Sequence, residues 1–362
     1  WERLECTDGD FVIFGRQPTL HKLSILAAKP KPSKTPDDHT IHIPSLLTTA
    51  FNADFDGDTM WVIKPEQTTE VQEELVRMLP SNQLSSPTTG KFSFPFSQDF
   101  VLGLSFLSCF QPTTEKEPFA KWISEAFKKY TVKALVEPVL TDQLLEKSEI
   151  AVKCKEYIDS EEAKTELLKI QTISAAAITL AGISVSLNDF MLDKQSLQPI
   201  NDFGNAIQNV RSLLEIKAKN KWNNVALMLL SGARGNNAQL AQICLRRGPM
   251  LMIGESTESS HTNDLASNLV SGMTAEDYFQ SCYGQRIGLV STAFATAECG
   301  HLTRKMIFAT QHNGIEGIIA SHAVGERVTQ SALSAFHSGG VFLKNTDTRK
   351  FKKVQQLLNW TK

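Results

Sequence analysis

The sequence has 362 residues, with 41% hydrophobic and 21% charged side chains and a formal net charge of −2 at pH 7. This composition excludes a disordered chain, a collagen-like repeat and a disulfide scaffold, while the length allows two or three domains of roughly 150 residues. Because the charge is nearly neutral, it does not by itself indicate nucleic-acid binding. The adjacent Arg246 and Arg247 are candidates for phosphate contacts, although a solvated charged surface is the commoner reason for such pairs.

The six cysteines are scattered and form no C-x-x-C pair, so the sequence predicts a reducing compartment and no zinc site. The longest nearly apolar stretch, residues 175–187, contains Thr179 and two serines and is too short to span a bilayer. We therefore expect no membrane partner. The chain opens on Trp1 instead of Met, which indicates a fragment, a processed product or an excerpt of a longer protein.

Along the chain, residues 11–63 are the first predicted unit, a β-rich one. Its predicted strands are the β-branched and aromatic runs FVIF at 11–14, IHI at 41–43 and MWVI at 60–63. Residues 66–79 follow as a predicted amphipathic helix, because apolar residues recur there at helical spacing and Pro80 comes directly after. Residues 81–99 are rich in turn-forming residues.

The remainder of the chain is predicted to be mostly helical. Residues 116–169 are charged and helical in pattern, and the run VALMLL at 225–230 is followed by SGARGN and a second helical stretch. Residues 254–268 are predicted to form a loop. Thr274 has the character of a helix N-cap, and the segment from there to Gln311 is the strongest helical candidate, since the last third of the chain is free of proline.

The segment NADFDGD at 52–58 has the clearest chemical pattern. Asp54, Asp56 and Asp58 alternate along the chain, so an extended or tightly looped backbone points all three carboxylates to one side, and Gly57 permits the bend. Carboxylates this close repel one another unless a divalent cation compensates their charge. An all-oxygen carboxylate site is the kind that Mg²⁺ prefers.

A calcium-binding EF-hand loop and an acidic surface turn compete with this interpretation of the acidic segment. An EF-hand loop starting at Asp54 needs Gly at its sixth position and Glu at its twelfth, where this sequence has Thr59 and Pro65. That motif is therefore excluded. The acidic surface turn stays open as the alternative, although the segment lies between apolar runs and not in a polar loop.

With these residues in view, NADFDGD resembles the signature of the largest, beta-prime-like subunit of multisubunit DNA-dependent RNA polymerases. GRQPTLHK at 15–22 and SQDFVLGL at 97–104 are similar to family segments before and after it. The resemblance implies an α+β fold in which a double-psi β-barrel carries the active-site loop. It also implies the division into 1–110 as barrel and active-site region, 111–222 as helical pore and funnel region, 223–311 as bracing loop and bridge helix, and 312–362 as trigger loop.

The resemblance also implies roles for individual residues near the acidic segment. Asp54, Asp56 and Asp58 would be catalytic and would hold one Mg²⁺, while a second ion arrives with the nucleoside triphosphate. Arg16 and Asn52 would bind the ribose hydroxyls of the incoming nucleotide, and Gln98 is a candidate for the same neighbourhood.

Three later segments extend the resemblance. QRIGLVSTAFATAECGHLTRK at 285–305 is similar to the bridge helix, with Thr292 and Ala293 facing the template. Apolar anchoring would come from Ile287, Val290 and Phe294, and helix–helix packing is the alternative role of its small residues. AGISVSLNDF at 181–190 is similar to a strand on the funnel side. SGARGN resembles the loop that braces the bridge helix.

The last segment, HAVGERVTQSALSAFHSGGV at 322–341, resembles the trigger loop, a mobile helix pair that closes over the nucleotide. By this resemblance Gln330 would contact the ribose and Leu333 would stack on the base. His337 would reach the phosphates as a positional or proton-donating catalyst.

The function implied is transcription by Mg²⁺-dependent nucleotidyl transfer from NTPs to an RNA 3′ end, active only in a multisubunit complex. The implied partners are a second-largest, beta-like subunit, the remaining large-subunit parts on other chains, the DNA template and the RNA transcript. A split subunit of a giant phage or another large DNA virus fits as the origin. The expected localisation is cytoplasmic, which for a viral protein means the host cytoplasm or the virion. Two alternatives are a two-barrel RNA-templated RNA polymerase and a non-catalytic structural paralog.

Overall fold

The computed structural model describes residues 5–31, 39–86, 90–109, 146–156, 161–191, 199–210, 223–254 and 261–334. The chain divides into two compact units, Trp1–Gly182 and Ile183–Lys362. None of the helices in the described ranges is long and apolar enough to cross a membrane.

An antiparallel sheet of three short strands organises the first unit. The central strand β1 (Val12–Gly15) pairs with β2 (Ile25–Ala28) on one side and with β3 (Trp61–Ile63) on the other. Ile13 therefore lies between Ala27 and Ile63 in register. Together with the helices, these antiparallel strands make the chain an α+β protein, while the double-psi β-barrel stays a prediction.

The second strand of this sheet is not the one predicted from the sequence. Residues 41–43 form no strand: Ile41 is 47% exposed, and Pro44 leads directly into a 3-10 turn at Ser45–Leu47. The partner of β1 is ILAA in β2, which has a weak strand pattern. Pairing against a buried central strand decides its conformation, because strand formation depends strongly on context.

The helices described in the first unit are α1 (Thr48–Phe51), α2 (Thr69–Arg77), α3 (Asp99–Cys109), α4 (Lys147–Glu156) and α5 (Glu161–Ala181). Helix α2 confirms the predicted amphipathic helix: the Thr68 hydroxyl caps its first turn, and Leu75 is buried against Phe11 and Ala27. The Met78 carbonyl accepts a hydrogen bond from the Ala27 amide at 3.2 Å, which fixes the end of α2 on β2.

Helices α3 and α5 approach each other closely. A Cβ added to Gly103 would lie 2.8 Å from the carbonyl carbon of Ser174, whose hydroxyl donates to the Phe100 carbonyl at 2.6 Å. From the same helix α5, the Gln171 amide donates to the Ser45 hydroxyl. Helix α5 thereby connects α3 to the turn that leads into α1.

The elements described in the second unit include a 3-10 turn at Leu187–Phe190, a helical segment at 203–210, α6 (Asn224–Leu230), α7 (Asn237–Cys244), β4 (Gly248–Leu251), β5 (Thr262–Leu265), α8 (Ala275–Thr310) and α9 (Gly314–Ser334). Strands β4 and β5 form an antiparallel hairpin. A core of buried residues joins this hairpin to the helices before it, including Phe203, Val225, Leu240, Met250 and Leu265.

Two predictions for this unit are wrong. No strand forms between residues 181 and 190; instead, Ser186 and Asp189 make reciprocal capping hydrogen bonds that close a 3-10 turn. The predicted loop at 254–268 contains strand β5, because the polar run TNDL pairs with the buried strand β4.

Helices α8 and α9 form an antiparallel hairpin. Thr274 caps α8, as the sequence predicted, and the helix continues for 36 residues without a break. Helix α9 returns along its C-terminal part: the hydroxyls of Thr310 and Ser321 lie 2.8 Å apart, and the Cys299 thiol lies 3.8 Å from the Val328 carbonyl. Small and hydroxyl-bearing residues therefore allow the two helices to pack closely.

Candidate metal centre

The acidic segment forms the loop between α1 and β3. Asn52 ends α1 in the left-handed conformation, with φ 46° and ψ 44°, and its amide bonds back to the helix. Gly57 has φ +128°, a conformation that favours glycine because it carries no Cβ. These two residues reverse the chain and keep the loop short.

The loop brings the three predicted metal ligands together. Oxygen atoms of Asp54, Asp56 and Asp58 all lie within 4.8 Å of one another. Asp54 and Asp56 are exposed and Asp58 is half-buried. Three hard carboxylate ligands on one side of a solvent-accessible loop fit a Mg²⁺ ion that also keeps water ligands and shares substrate phosphates.

Arg16, which follows β1, makes a bidentate ion pair with Asp58. Its Nε lies 2.8 Å from Asp58 Oδ2, and its Nη2 donates to Asp58 Oδ1 at 3.0 Å. The Asp54 amide donates to the same Oδ2 at 3.0 Å. The Asp54 amide first, and the Arg16 guanidinium second, lower the pKa of the Asp58 carboxyl below its ordinary value. Asp58 is thus the member of the three that its neighbours hold in place.

The other two carboxylates face each other without such compensation. The neighbouring Asp54 carboxyl, through hydrogen bonding and charge, raises the pKa of Asp56, and Asp58 adds a smaller contribution of the same sign. Mutual repulsion of this kind is what a bound divalent cation relieves. The electrostatics of the loop therefore agree with the chemistry of its donor atoms.

Close packing next to Arg16 positions its side chain. A Cβ on Gly15 would lie 2.5 Å from the Trp61 indole and 2.8 Å from the Ser24 carbonyl oxygen, so only glycine fits between them. The rings of Phe14 and Phe51 are 5.1 Å apart and join β1 to α1. The two ends of the acidic loop are thus built against the strand from which Arg16 extends.

The remaining predicted residues of the first unit are exposed. The Asn52 side chain lies at the start of the loop, and Gln98, with φ 48°, directly precedes α3. Phe55, between two of the carboxylates, is 76% exposed.

In the second unit, the middle of α8 is also largely exposed. Ala293 is exposed, and Thr292 is half-buried with its hydroxyl donating to the Gly288 carbonyl at 2.9 Å. Apolar anchoring by Ile287, Val290 and Phe294 stays a prediction: Ile287 is half-buried, whereas the side chains of Val290 and Phe294 are 48% and 70% exposed.

The predicted trigger-loop residues lie on α9 or beyond it. Gln330 is exposed, and its amide donates to the Glu326 carboxylate at 3.0 Å. Leu333 belongs to the last turn of α9. His337 lies outside the described residues. Gly325 and Thr329 of the same segment pack inward, so part of the motif has a structural role.

Arg247 is a structurally important residue whose burial the sequence did not indicate. It is 4% exposed, with Nε donating to the Ser281 hydroxyl at 3.0 Å and Nη1 to the Gln242 amide oxygen. Burial lowers the pKa of this guanidinium from its ordinary value. Arg247 therefore braces the first part of α8, whereas its neighbour Arg246 pairs with Asp264 at 3.1 Å nearer the surface.

Known protein families match three stretches of the chain. Residues 3–80 match the family described as RNA polymerase Rpb1, domain 2; residues 190–271 match domain 4, and residues 272–316 match domain 5. The first match contains the acidic loop and Arg16, and the third covers the whole of α8.

Curated proteins give the same result over more of the chain. The DNA-directed RNA polymerase subunit beta' of Campylobacter lari is 28% identical over an alignment 381 positions long. The alignment covers 86% of this chain and 25% of that protein. The subunits of the same name from Campylobacter jejuni and Aliarcobacter butzleri are 30% and 28% identical with the same coverage. The chain spans about a quarter of the length of the curated relatives it matches.

Proposed function

This chain is a portion of a largest, beta-prime-like subunit of the multisubunit RNA polymerase family, and we propose that it carries the metal-binding half of the active site of a DNA-directed RNA polymerase. The observation that supports this proposal most directly is the convergence of the Asp54, Asp56 and Asp58 carboxylates within 4.8 Å on one exposed loop. Mg²⁺ is the cation that this donor set fits.

The three carboxylates and Asn52 have tasks in the proposed reaction. Asp58, held by Arg16, would supply a ligand oxygen in a fixed place, and the exposed Asp54 and Asp56 would supply ligands that face the solvent. When bound, Mg²⁺ lowers the pKa of the RNA 3′-hydroxyl for in-line attack on a nucleoside triphosphate, which brings a second ion. Asn52 is placed beside the ligands, with an exposed amide suited to a ribose hydroxyl.

Other proposed contacts come from more distant segments. Gln98 would serve the same nucleotide. Helix α8 would act as the bridge helix, with Thr292 and Ala293 toward the template. Helix α9 and the residues after it would act as the trigger loop, with Gln330, Leu333 and His337 toward the nucleotide.

The loop is open to solvent, and this supports an active site completed by another protein chain. Phe55 and two of the three carboxylates are exposed, so a partner could cover them. We propose that the partner is a second-largest, beta-like subunit that supplies basic residues for the triphosphate, with further large-subunit parts, the DNA template and the RNA transcript completing the complex.

The test is an isosteric exchange of one ligand in the assembled complex. Asp56→Asn removes a negative ligand but keeps the shape of the side chain. Changes in residues that only support metal ligands cost about 10–100-fold, so loss of a direct ligand should lower nucleotide incorporation by at least about 100-fold. Glu70→Gln, an exposed carboxylate change on α2, is the matched control and should leave incorporation unchanged.

The same complex distinguishes the two alternatives. Unchanged incorporation by Asp56→Asn would contradict the catalytic role and favour a structural paralog. Incorporation on an RNA template but not on a DNA template would favour the two-barrel RNA-templated polymerase.

A further inference from the structure

We infer that Arg16 is a positioning residue for the acidic loop, and that its guanidinium sets the divalent-cation affinity of Asp54, Asp56 and Asp58. The inference rests on the proposed metal site and goes beyond the ribose contact that the sequence predicts for Arg16. It assigns the side chain a role before any nucleotide is bound.

The guanidinium connects both ends of the loop. On the C-terminal side, Nε and Nη2 hold the two oxygens of Asp58 at 2.8 Å and 3.0 Å. On the N-terminal side, Nη1 donates to the carbonyl oxygens of Asn52 at 2.8 Å and Phe51 at 3.3 Å. All three nitrogen atoms of the guanidinium are engaged in this way. A planar fork with this many directed donors fixes geometry as well as charge.

The loop has little else to hold it among the described residues. Residues 54–57 are all exposed, so no core packing fixes them. The other contacts across the loop come from its own groups: the Asp54 amide on Asp58, and the neighbouring carboxyl groups of Asp54 and Asp56. Because those two carboxyl groups repel when ionised, Arg16 and the Asp54 amide together supply the attraction that opposes opening of the loop, and Arg16 is the part of it that comes from outside the loop.

The same contacts determine how Asp58 meets a cation. Oδ1 accepts a hydrogen bond from Arg16 Nη2, and Oδ2 accepts one from the Asp54 amide and lies 2.8 Å from Arg16 Nε. A carboxylate has about four lone-pair positions, so Asp58 can still ligate a cation. Arg16 therefore holds Asp58 at a place fixed relative to the start of the loop.

The positioning role and the ribose role predict different measurements. A residue that only binds the ribose affects the KM for nucleoside triphosphates and leaves cation binding in the absence of nucleotide unchanged. A positioning residue changes cation affinity and loop opening without any nucleotide. The two roles separate cleanly in a nucleotide-free experiment.

The experiment measures Mn²⁺ binding by electron paramagnetic resonance in the purified complex that contains the full chain, without nucleotide. Only the Mn²⁺ binding that is lost in Asp56→Asn is assigned to the acidic loop. Arg16→Gln should weaken it about 10-fold or more, in the range seen when supporting residues of metal ligands are changed. Arg16→Lys keeps the charge but not the fork, and should give an intermediate loss.

Two controls separate positioning from general damage. Arg77→Gln removes an exposed arginine paired with Glu74 on α2, and it should bind Mn²⁺ as the unchanged protein does. The Tm of each variant reports overall stability. If Arg16→Gln lowers the Tm by several degrees, the comparison is made with Arg16→Lys and with the double variant Arg16→Gln/Asp58→Asn, in which the Arg16 change should cost less than it does alone.

A metal-free measurement completes the test. Hydrogen–deuterium exchange of the peptide covering residues 52–60 should be faster in Arg16→Gln than in the unchanged chain, while peptides of α2 stay the same. Equal Mn²⁺ affinity and equal exchange, with only the nucleotide KM raised, would overturn the inference and leave the proposed function standing. If Asp56→Asn removes no Mn²⁺ from the unchanged complex, the metal site itself fails.

Discussion

Gly325 of α9 lies directly against Thr303 of α8: a Cβ added to Gly325 would be 2.5 Å from Cγ2 and 2.9 Å from Cβ of Thr303, and closer still to its hydroxyl. One helical turn before Gly325 on α9, the hydroxyl of Ser321 lies 2.8 Å from the hydroxyl of Thr310 on α8. Close backbone approach and hydroxyl contacts therefore contribute to holding the helical hairpin together.

This contact predicts that Gly325→Ala destabilises the hairpin. The added methyl group cannot fit without moving one helix, and overpacking of this kind costs about 1–3 kcal/mol. The measurement is the urea midpoint of the far-ultraviolet circular dichroism signal, which should fall. Thr303→Ala in the same chain should restore part of the loss, because it removes the hydroxyl and methyl groups but not Cβ.

Gly300→Ala is the matched control for that change. A Cβ at Gly300, also in α8, meets nothing within 4 Å. Replacing an exposed helical glycine by alanine should therefore raise stability by up to about 1 kcal/mol. Similar effects of the Gly300 and Gly325 changes would contradict the packing described.

Adjacent arginines give a second prediction. Arg247→Met leaves the buried Ser281 and Gln242 groups without their donor and should cost about 2–3 kcal/mol. Arg246→Met breaks a partly exposed pair with Asp264 and should cost about 0–1 kcal/mol. Chemical unfolding of both variants measures the two losses of unfolding free energy and shows whether the Arg247 change costs more. Equal losses would mean that Arg247 does not brace α8 as its contacts indicate.

A third prediction concerns acid stability. The Lys64 ammonium nitrogen lies 2.8 Å from Asp10 Oδ2. This ammonium group, together with the Thr7 amide and hydroxyl, lowers the pKa of Asp10 to about 2. The unfolded value is about 3.9, so the pair's contribution to stability is fully present above that pH and is lost as the pH falls toward the folded value. The stability difference between the unchanged chain and Asp10→Asn should therefore shrink between about pH 4 and pH 2.

Lys64→Gln tests the same pair from the other side. It should reproduce the loss above about pH 4 and converge with the unchanged chain in acid. Unfolding midpoints measured at several pH values for the three proteins are sufficient. A difference that stays constant down to about pH 2 would show that the Asp10–Lys64 pair does not carry the effect.

The sequence was most informative where one local signal decides the structure. The Thr274 cap and the absence of proline after it predicted the long helix α8, and apolar spacing predicted α2. Strands β2 and β5 were missed because ILAA has only a weak strand pattern and TNDL has none. Their conformation comes from hydrogen bonding to a neighbouring strand, which lies outside the local sequence.

The site shows the same division. Alternation of Asp54, Asp56 and Asp58 was enough to predict that their carboxylates meet, because the relation is local. That Arg16 would pair with Asp58, 42 residues later, depends on how β1 and β3 are brought together, and spacing alone gives no sign of it. Likewise nothing in the dipeptide Arg246–Arg247 indicates which of the two is buried.

Thr292 has a consequence for any nucleic acid that meets α8. Its single hydroxyl proton is directed along the helix to the Gly288 carbonyl at 2.9 Å, so outward it has only lone pairs to offer. A phosphate, which also only accepts, gains nothing from it. A base amino group or a 2′-hydroxyl can donate to it. If α8 contacts nucleic acid as proposed, this conformation of Thr292 would favour hydrogen-bond donors over the phosphate backbone.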